Sequence, residues 1–426
     1  MRILASILFG GCVLATAQAA NQVHVVDGDG GPGVDFVSLQ TAVSTVADGD
    51  ILLVRDCGVP YATANLASKS LTIVGVRDVN GDRPIARGLA IEDLGVAQGV
   101  VVRGLEFDAL PQHFNTAFAV RDCAGSVFVE DCVLAQSAPD HVLALMVTVS
   151  ASPRTVFTRC SITAQPNVGL PVGGFGAVHL ESGSVSLYEC ALVGGQGRNA
   201  AVPLIGGAAT PSSPGSAGLS IVTGNVFASG CTFVGGDGGN GAFQASTLTC
   251  VAAAVGGPAV VAQGDPSTRV LTILDSTFAV GASGVAAGSC PAPGVAPFVI
   301  HPAVTTSSVV GDIRRTFEVT SPSPEGQLTT TTLTGVPGEF ALLLLAFSGN
   351  GAYTPAVVGA LAGTPPLTVI ALGSLPPSGT LSFSVPIPVG GLPASIDGVN
   401  LYEQAVVAGA SGFGLLSSPS VVTILR

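Results

Sequence analysis

The chain has 426 residues, a formal net charge of −12, and charged residues at only 10% of its positions, where an average soluble domain has about 25%. Hydrophobic residues make up 47% of it, and it holds 57 glycines and 29 prolines. This composition excludes a helical bundle, a coiled coil and a disordered chain. The single lysine, Lys69, argues against nucleic acid as a partner. A β-rich, turn-rich protein of two domains remains.

Residues 1–20 have the pattern of a cleaved secretory signal peptide. Arg2 gives the positive start, Ile3–Leu14 is the apolar centre, and Ala17-Gln18-Ala19 fits the small-x-small cleavage pattern. An uncleaved anchor is the alternative, but this segment is short for a membrane span. A lipoprotein anchored through Cys12 is a weaker alternative. We therefore expect a secreted or cell-surface protein of bacterial type, with no transmembrane segment after signal cleavage.

Residues 21–312 contain a repeated pattern: apolar, x, apolar, x, x, Cys, x, apolar. It is clearest at Val127–Leu134 and Val185–Leu192, and further copies begin at Leu71, Val100, Thr155, Val226 and Leu271. The alternation of period two predicts a short strand, and the two consecutive x positions predict a bend. One such unit cannot bury its apolar face alone, so we expect the copies to stack into a parallel solenoid. Two of the steps between copies are longer, and we expect their glycine-rich stretches, Gly206–Pro211 and Gly256–Pro258, to be loops.

The cysteines divide into two groups by this pattern. The marker position of the repeat is occupied by Cys132, Cys160, Cys190 and Cys231. We expect these to stack inside the solenoid as small hydrophobic residues with free thiols. A redox or metal-binding column is the alternative, but thiols stacked in register do not converge on one point. Cys250 and Cys290 fall outside the register, and we predict that they form a disulfide in the oxidising compartment that the signal peptide implies.

The start of the mature chain resembles that of right-handed parallel β-helix proteins of the pectin-lyase-like superfamily. The similar residues are Val34–Val43, then Gly49-Asp50-Ile51, and then Gly58–Tyr61. The resemblance implies a capping helix, a first strand and a closing turn. It implies nothing specific about chemistry, because this superfamily includes lyases, hydrolases and adhesins. We find none of the clustered acidic, histidine or Arg-x-Lys motifs that its enzymes use, and therefore assign no catalytic residue.

The repeat stops near Arg314, and residues 313–426 are predicted to form a β-sandwich. Apolar runs recur between turn signals, and Leu381–Ile387 alternates strictly with prolines that suit an edge strand. The stretch Ile396–Ala405 with Gly414–Ser417 resembles a C-terminal sandwich module of bacterial extracellular proteins. The fold class predicted for the whole chain is therefore all-β: a right-handed parallel β-helix solenoid followed by a small β-sandwich.

Two acidic fragments place oxygen ligands at alternate positions. They supply the candidate metal ligands Asp27, Asp29, Asp78, Asn80 and Asp82. A full calcium loop needs more ligands and a late glutamate, and neither fragment has them. Ordinary Asx turns are the alternative, and no cofactor other than Ca²⁺ is indicated.

The best candidate for a binding surface follows from the bend position of the repeat. Stacked copies place Asp131, Arg159 and Glu189 in one column, with Glu130 and Tyr188 beside it. We expect these side chains to point outward. One interpretation is a sugar-binding strip in which Tyr188 stacks on a ring. The other is a plain ion-pair ladder.

Two functions of different class remain open. The first is a non-catalytic secreted or cell-surface protein that acts as a structural spacer or as a surface for extracellular polysaccharide or a cell-surface protein. The alternative is a polysaccharide lyase or glycoside hydrolase that acts on an acidic polysaccharide. Hydrolysis of a glycoside needs two carboxylates facing one bond, so a cluster of carboxylates on one outer face would favour the enzyme.

Overall fold

The computed structural model describes residues 21–108, 116–135, 145–164, 166, 176–202, 209–244, 249–264, 268–296, 298–408 and 414–426. The predicted signal peptide lies outside these ranges. The described residues contain one α-helix, α1 (Leu39–Thr45), and one 3-10 helix (Pro355–Val357), and the other elements are strands. The predicted fold class, a right-handed parallel β-helix followed by a β-sandwich, is confirmed.

The solenoid has three parallel sheets. Sheet A contains ten strands: β1 (Val23–Val26), β2 (Ile51–Arg55), β4 (Leu71–Val76), β7 (Gly99–Arg103), β10 (Ser126–Glu130), β13 (Ser152–Thr158), β16 (Gly183–Tyr188), β19 (Gly224–Ser229), β24 (Arg269–Leu274) and β26 (Thr305–Ser308). Sheet B contains β5 (Ile85–Ala86), β8 (Glu106–Asp108), β11 (Val133–Ala135), β14 (Ser161–Thr163), β17 (Ala191–Val193), β20 (Thr232–Val234) and β25 (Thr277–Ala279). Sheet C contains β3 (Ala64–Ala67), β6 (Leu89–Glu92), β9 (Thr116–Arg121), β12 (Leu145–Ser150), β15 (Val178–Leu180), β18 (Leu219–Ile221) and β23 (Val260–Ala262).

The register of sheet A is the one that the repeat predicts. The first residues of successive copies pair in the order Leu71, Val100, Val127, Thr155, Val185, Val226 and Leu271. The predicted cysteine column is also present. The residue after Cys160, Cys190 or Cys231 donates its amide to the carbonyl of the marker cysteine one coil earlier, as Ser161 does to Cys132 at 3.0 Å. Burial raises the pKa of the Cys132, Cys160 and Cys190 thiols, so they stay protonated. Cys250 and Cys290 form the predicted disulfide.

Helix α1 closes the N-terminal end of the solenoid. Ser38 caps its first turn, and its buried side chains, Leu39, Ala42 and Val43, join the solenoid core. The only lysine of the chain, Lys69, donates to the carbonyls of Val43 (3.0 Å) and Val46 (2.5 Å) at the other end of the helix. A cation at this end satisfies free carbonyls and complements the helix dipole.

The second predicted loop belongs to a regular structure, because the Gly257 amide donates to the Gly236 carbonyl at 2.7 Å, so the prediction that Gly256–Pro258 is a loop is wrong. Of the first, Gly206–Pro211, residues 206–208 lie outside the described residues and Thr210 pairs with Ala201, so this loop stays a prediction. We call residues 194–200, 213–216, 235–241, 254–257 and 279–285 the glycine bundle. Amides at every third residue of one segment donate to the next coil: Gly194, Gly197 and Ala200 to the carbonyls of Val234, Asp237 and Asn240. Gly235, Gly238 and Gly241 repeat the pattern on the following coil. Three residues per turn with hydrogen bonds only between segments is the geometry of packed polyproline II helices.

Glycine is required in this bundle because a second layer packs directly against the first. Gly236 and Gly239 donate to the carbonyls of Ser216 and Ser213 on the returning segment. A Cβ atom at Gly239 would lie 1.8 Å from the Arg198 carbonyl oxygen, and one at Gly236 would lie 2.0 Å from that of Gly195. In the segment 235–241, side chains beyond glycine therefore stand only at Asp237 and Asn240, which are three residues apart.

The C-terminal part of the chain forms two sheets that face each other, antiparallel except for the short parallel pair of β28 (Ser323–Pro324) and β37 (Ser420–Leu425). Sheet D contains β27 (Thr316–Val319), β29 (Leu328–Thr334) and β34 (Thr380–Pro386), and β34 is an edge strand as predicted. Sheet E contains β28 (Ser323–Pro324), β30 (Phe340–Ala346), β33 (Thr368–Ser374), β35 (Gly398–Ala408), β36 (Gly414–Leu416) and β37 (Ser420–Leu425). A hairpin of β31 (Gly349–Tyr353) and β32 (Ala360–Gly363) adjoins them, and β21 (Ala242–Gln244) and β22 (Thr249–Val251) form another at the glycine bundle. The domain boundary at 312/313 stays a prediction and lies between β26 and β27.

We predict that Gly239→Ala lowers the free energy of unfolding by about 1–3 kcal/mol, the usual cost of forcing extra atoms into a packed site. Gly294→Ala is the matched control, because a Cβ there meets its first neighbour, a Val255 methyl, at 3.8 Å. Denaturant titration measures both. Equal stabilities of the two variants would contradict the packing of the glycine bundle.

Candidate functional site

The outer face of sheet A is apolar, and the C-terminal sheets cover it. Its buried outward side chains are Val101, Phe128, Val156, Tyr188, Phe227 and Leu274. They pack against Ala360, Ala362, Tyr402 and Val421 of the C-terminal part. The Tyr188 hydroxyl accepts a hydrogen bond from the Ala360 amide at 2.6 Å, and the Phe128 and Tyr402 rings lie 5.2 Å apart. The solenoid and the C-terminal part therefore share a continuous apolar core.

The bend column that the repeat predicts is present at the edge of this interface. Its non-glycine members, Asp131, Arg159, Glu189 and Asp275, all have a φ between 48° and 54°. Two glycines, Gly104 and Gly230, complete the column with φ values of 70° and 63°. This left-handed conformation turns the chain from sheet A into sheet B and directs the side chains away from the solenoid interior.

Four charged side chains form a network within the interface. Arg103 lies 3.0 Å from a Glu130 carboxylate oxygen and 3.2 Å from one of Asp131. Arg159 donates through Nε to Asp131 at 2.8 Å and lies 3.8 Å from Glu130. Of the described residues, Arg159 pairs with these two carboxylates and forms no ion pair with Glu189, so the predicted ladder is present only in its Asp131–Arg159 half.

The same network binds the backbone of the C-terminal sheets. The Glu130 carboxylate accepts from the Val421 amide at 2.9 Å, and Arg103 donates to the Val421 carbonyl at 2.9 Å. Arg103 also donates to the Val319 carbonyl at 3.1 Å, and Arg159 donates to that of Phe317 at 3.4 Å. The charges of the solenoid thus complete the hydrogen bonding of β27 and β37.

Burial and charge act in opposite directions on these groups. Complete burial raises the pKa of Glu130, and the nearby Arg103 and Arg159 guanidinium groups offset part of this increase. Burial also acts to raise the pKa of Asp131, but its hydrogen bond with Arg159 and the two arginine charges outweigh it, so the pKa lies below its usual value. Burial raises the pKa of Glu189, whose Oε1 is buried without a hydrogen-bond partner in the described structure.

This geometry corrects the expectation of an open binding strip. Glu130 and Tyr188 are 0% exposed, and the Asp131 and Arg159 side chains are 24% and 15% exposed. The side chains point outward from the solenoid, as predicted, but β27, β32 and β37 cover them. A sugar ring cannot stack on a tyrosine that is buried against Ala360 and Phe227. Arg103 was not among the predicted residues, although the fourth repeat position aligns it with Glu130.

Two of the candidate calcium ligands, Asp27 and Asp78, accept hydrogen bonds from backbone amides of their own turns. Asp78 accepts hydrogen bonds from the Asn80 and Asp82 amides at 2.9 and 2.8 Å, and these bonds lower its pKa. Asp27 accepts from the Asp29 amide at 3.1 Å. Across the part of the chain that the structure describes, no three histidine, cysteine, aspartate or glutamate side chains are placed to hold a metal ion. The geometry is that of Asx turns, and the calcium site stays a prediction.

A serine and a histidine meet on the outer face of sheet C. His179 Nδ1 lies 3.1 Å from Ser220 Oγ, and its Nε2 lies 4.0 Å from a Glu181 carboxylate oxygen. Burial lowers the pKa of His179, which keeps the ring neutral. These are the residue types of a nucleophile, a base and an orienting acid. Ser220 is 0% exposed and His179 is 4% exposed, so this arrangement does not present a nucleophile to a polymer chain.

One buried carboxyl group lies in the core of the C-terminal sandwich. Glu403 on β35 lines a cavity of about 30 Å³ together with Thr329, Leu345, Phe383 and Val422. Burial raises its pKa to about 8, and the Thr329 hydroxyl in the same cavity is buried without a hydrogen-bond partner in the described structure. A cavity of this size holds about one water molecule.

In comparisons with known proteins, no family model and no curated protein matches the chain. A superoxide reductase (neelaredoxin) from Ignicoccus hospitalis is 10% identical over 26% of this chain and 80% of that chain, with a TM-score of 0.17. The enzymatically active domain of bacteriophage CBA120 tailspike protein 4 is 12% identical over 89% of this chain and 64% of that chain, with a TM-score of 0.20. That of tailspike protein 2 is 10% identical over 93% and 75%, also with a TM-score of 0.20. Similarities this low carry no argument about the chain.

We predict that Arg103→Ala lowers the free energy of unfolding by about 3–5 kcal/mol, because it leaves the Glu130 carboxylate buried without its closest cation. Arg121→Ala is the matched control. Arg121 also pairs with a glutamate of the neighbouring coil, Glu92 at 3.1 Å, but its side chain is 41% exposed. Loss of such a surface pair costs about 0–1 kcal/mol. Denaturant unfolding distinguishes them, and equal losses would contradict a buried network.

Glu403 makes the stability of the protein depend on pH. Its pKa is about 8 in the folded chain and lies near 4.5 when the chain is unfolded. Below both values its full contribution to stability is present, and between them the unfolded state loses its proton first. Stability therefore falls as pH rises from 4.5 to 8, by up to about 5 kcal/mol.

Glu403→Gln should remove this dependence. We expect it to melt higher than the wild type at pH 8 and to differ little from it at pH 4.5. Glu318→Gln, which removes a charge from an exposed position on β27, is the control and should leave the melting temperature unchanged at both pH values. A Glu403→Gln variant that melts lower than the wild type at pH 8 would show that the carboxylate is stabilised in the core.

Proposed function

We propose that the protein is a non-catalytic structural protein of the cell exterior, in which the β-helix and the C-terminal sheets form one rigid body. The observation that carries this proposal is the use made of the best candidate site. Glu130, Asp131, Arg103 and Arg159 bind the backbone of the C-terminal sheets and one another. Side chains committed in this way support cohesion between the two parts of the chain.

The dimensions of the solenoid support the same role. Ten strands in sheet A at roughly 4.8 Å per step give a body of about 40 Å along its axis. Each coil is held by the ladder hydrogen bonds of three sheets and by a column of buried apolar side chains. A spacer needs this resistance to bending, which comes from dense packing and continuous hydrogen bonding between coils.

Membership of the pectin-lyase-like superfamily and export from the cell belong to the same proposal. The α1 cap and the Gly49-Asp50-Ile51 start of β2 support the first, and the sequence of residues 1–20 supports the second. In the described ranges, no helix is long and apolar enough to cross a membrane. Export predicts a mature protein that begins at Ala20 or Asn21, which mass spectrometry of the protein from its host measures directly.

Depolymerisation assays test the proposal against the alternative of a lyase or hydrolase. The mature protein is incubated with polyuronates and added Ca²⁺, and both unsaturated and reducing ends are followed. A fluorophosphonate probe of serine nucleophiles tests Ser220 in parallel. We expect no release of either kind of end and no labelling.

The outcome that overturns the proposal is release of ends, or labelling of Ser220, that a heat-denatured sample does not give. Asp131→Asn then identifies the site. If Asp131→Asn abolishes the release of ends, a catalytic carboxylate lies within the network. If Ser220→Ala abolishes the labelling, the reactive serine is Ser220 on sheet C.

A further inference from the structure

The two ends of the solenoid are closed differently. Helix α1 covers the N-terminal end and buries its apolar side chains there. At the other end, no helix covers the last coil in the described residues. The inward apolar column of sheet B ends there in two stacked rings, with Phe278 parallel to Phe233 and 4.8 Å between ring centroids. Phe278 is only half-buried, whereas Phe233 is fully buried.

The last coil also exposes the edges of its sheets. Strand β25 is the terminal strand of sheet B, and β26 is the terminal strand of sheet A with all four residues exposed. An exposed strand edge presents free amide and carbonyl groups that another strand can pair with. Natural proteins protect such edges with charged residues, prolines, bulges or a covering element.

This end has no charged protection. Residues 276–311 contain no aspartate, glutamate, lysine or arginine, although the whole chain has a net charge of −12. Six of the sixteen large hydrophobic side chains that are exposed in the described residues belong to this coil and the link that follows it: Val280, Val285, Val295, Val299, Val310 and Ile313. Val285 and Val295 are 71% and 85% exposed. A region with exposed valines, no acidic or basic side chain and open strand edges is typical of an interaction surface.

We propose that this end of the solenoid, residues 276–296 and 298–311, is the contact surface through which two copies of the chain associate end to end. The charge distribution selects a second copy as the occupant. Two chains of net charge −12 repel each other across most of their surfaces, and this neutral end is where they approach at the lowest electrostatic cost. The edge of β26 is self-complementary, because two copies related by a twofold axis can pair it antiparallel.

The experiment is sedimentation equilibrium of the mature chain, residues 21–426, at protein concentrations from about 1 to 100 μM. We expect twice the mass of one chain at the upper concentrations. The contact excludes charge, so added salt screens the repulsion between the two copies and should tighten the dimer. A dimer held by ion pairs would weaken with salt, which would overturn the proposed surface.

A double substitution and a matched control locate the surface. Val285→Lys with Val295→Lys should weaken the dimer by at least 100-fold. Val37→Lys with Val79→Lys adds the same two charges at exposed valines near the N-terminal end, where these side chains are 63% and 101% exposed, and should leave the dimer intact. Unchanged circular dichroism and melting temperature show that both variants fold.

Besides a dimer that salt weakens, three results overturn the proposal. They are a wild-type chain that is monomeric at every concentration, a dimer that both double variants weaken equally, and a dimer that neither weakens. Hydrogen exchange gives an independent readout on the unmodified chain. The amides of Thr305–Ser308 should exchange at least 10-fold more slowly at 100 μM than at 1 μM, and equal rates in a chain shown to be dimeric would exclude β26 from the contact.

Discussion

The middle strands of sheet A, β7 to β19, are buried on both faces, and the rest of the architecture depends on this constraint. Their inward residues, such as Val127 and Val129, form the solenoid core, and the outward residue Phe128 lies in the interface core. A parallel sheet that is apolar on both sides needs a cover on each. The C-terminal sandwich provides the outer cover. The sandwich buries Glu130 and Arg103 together with Phe128. Two charges in such a core are tolerated only because they form a hydrogen-bonded ion pair.

Much of the solenoid was predictable because its stacking is a property of the repeat itself. Like residues lie above like residues, so the copies from Leu71 to Leu271 define a register that the structure follows throughout sheet A. The glycine bundle was not predictable in the same way. Its segments Gly194–Ala200 and Gly235–Gly241 are rich in glycine, as loops are. The period of three in their hydrogen bonds and the close contacts that require glycine become visible only in the structure.

The candidate site was only partly predictable. The bend column follows from the repeat, and the Asp131–Arg159 pair within it is present. What covers the column depends on contacts between residues hundreds of positions apart, such as Glu130 with Val421. A signal was nevertheless available, since Val101, Phe128 and Phe227 are apolar at positions that an open sheet would fill with polar residues. That pattern predicts a covered face, although it does not identify the cover.

We expect the solenoid and the C-terminal sandwich, joined by the apolar interface and the buried network, to fold as one cooperative body. Differential scanning calorimetry of the mature chain measures this cooperativity. A cooperative body gives a single transition whose calorimetric and van 't Hoff enthalpies agree. Two separate transitions, with the solenoid retaining its stability after the sandwich has melted, would contradict it.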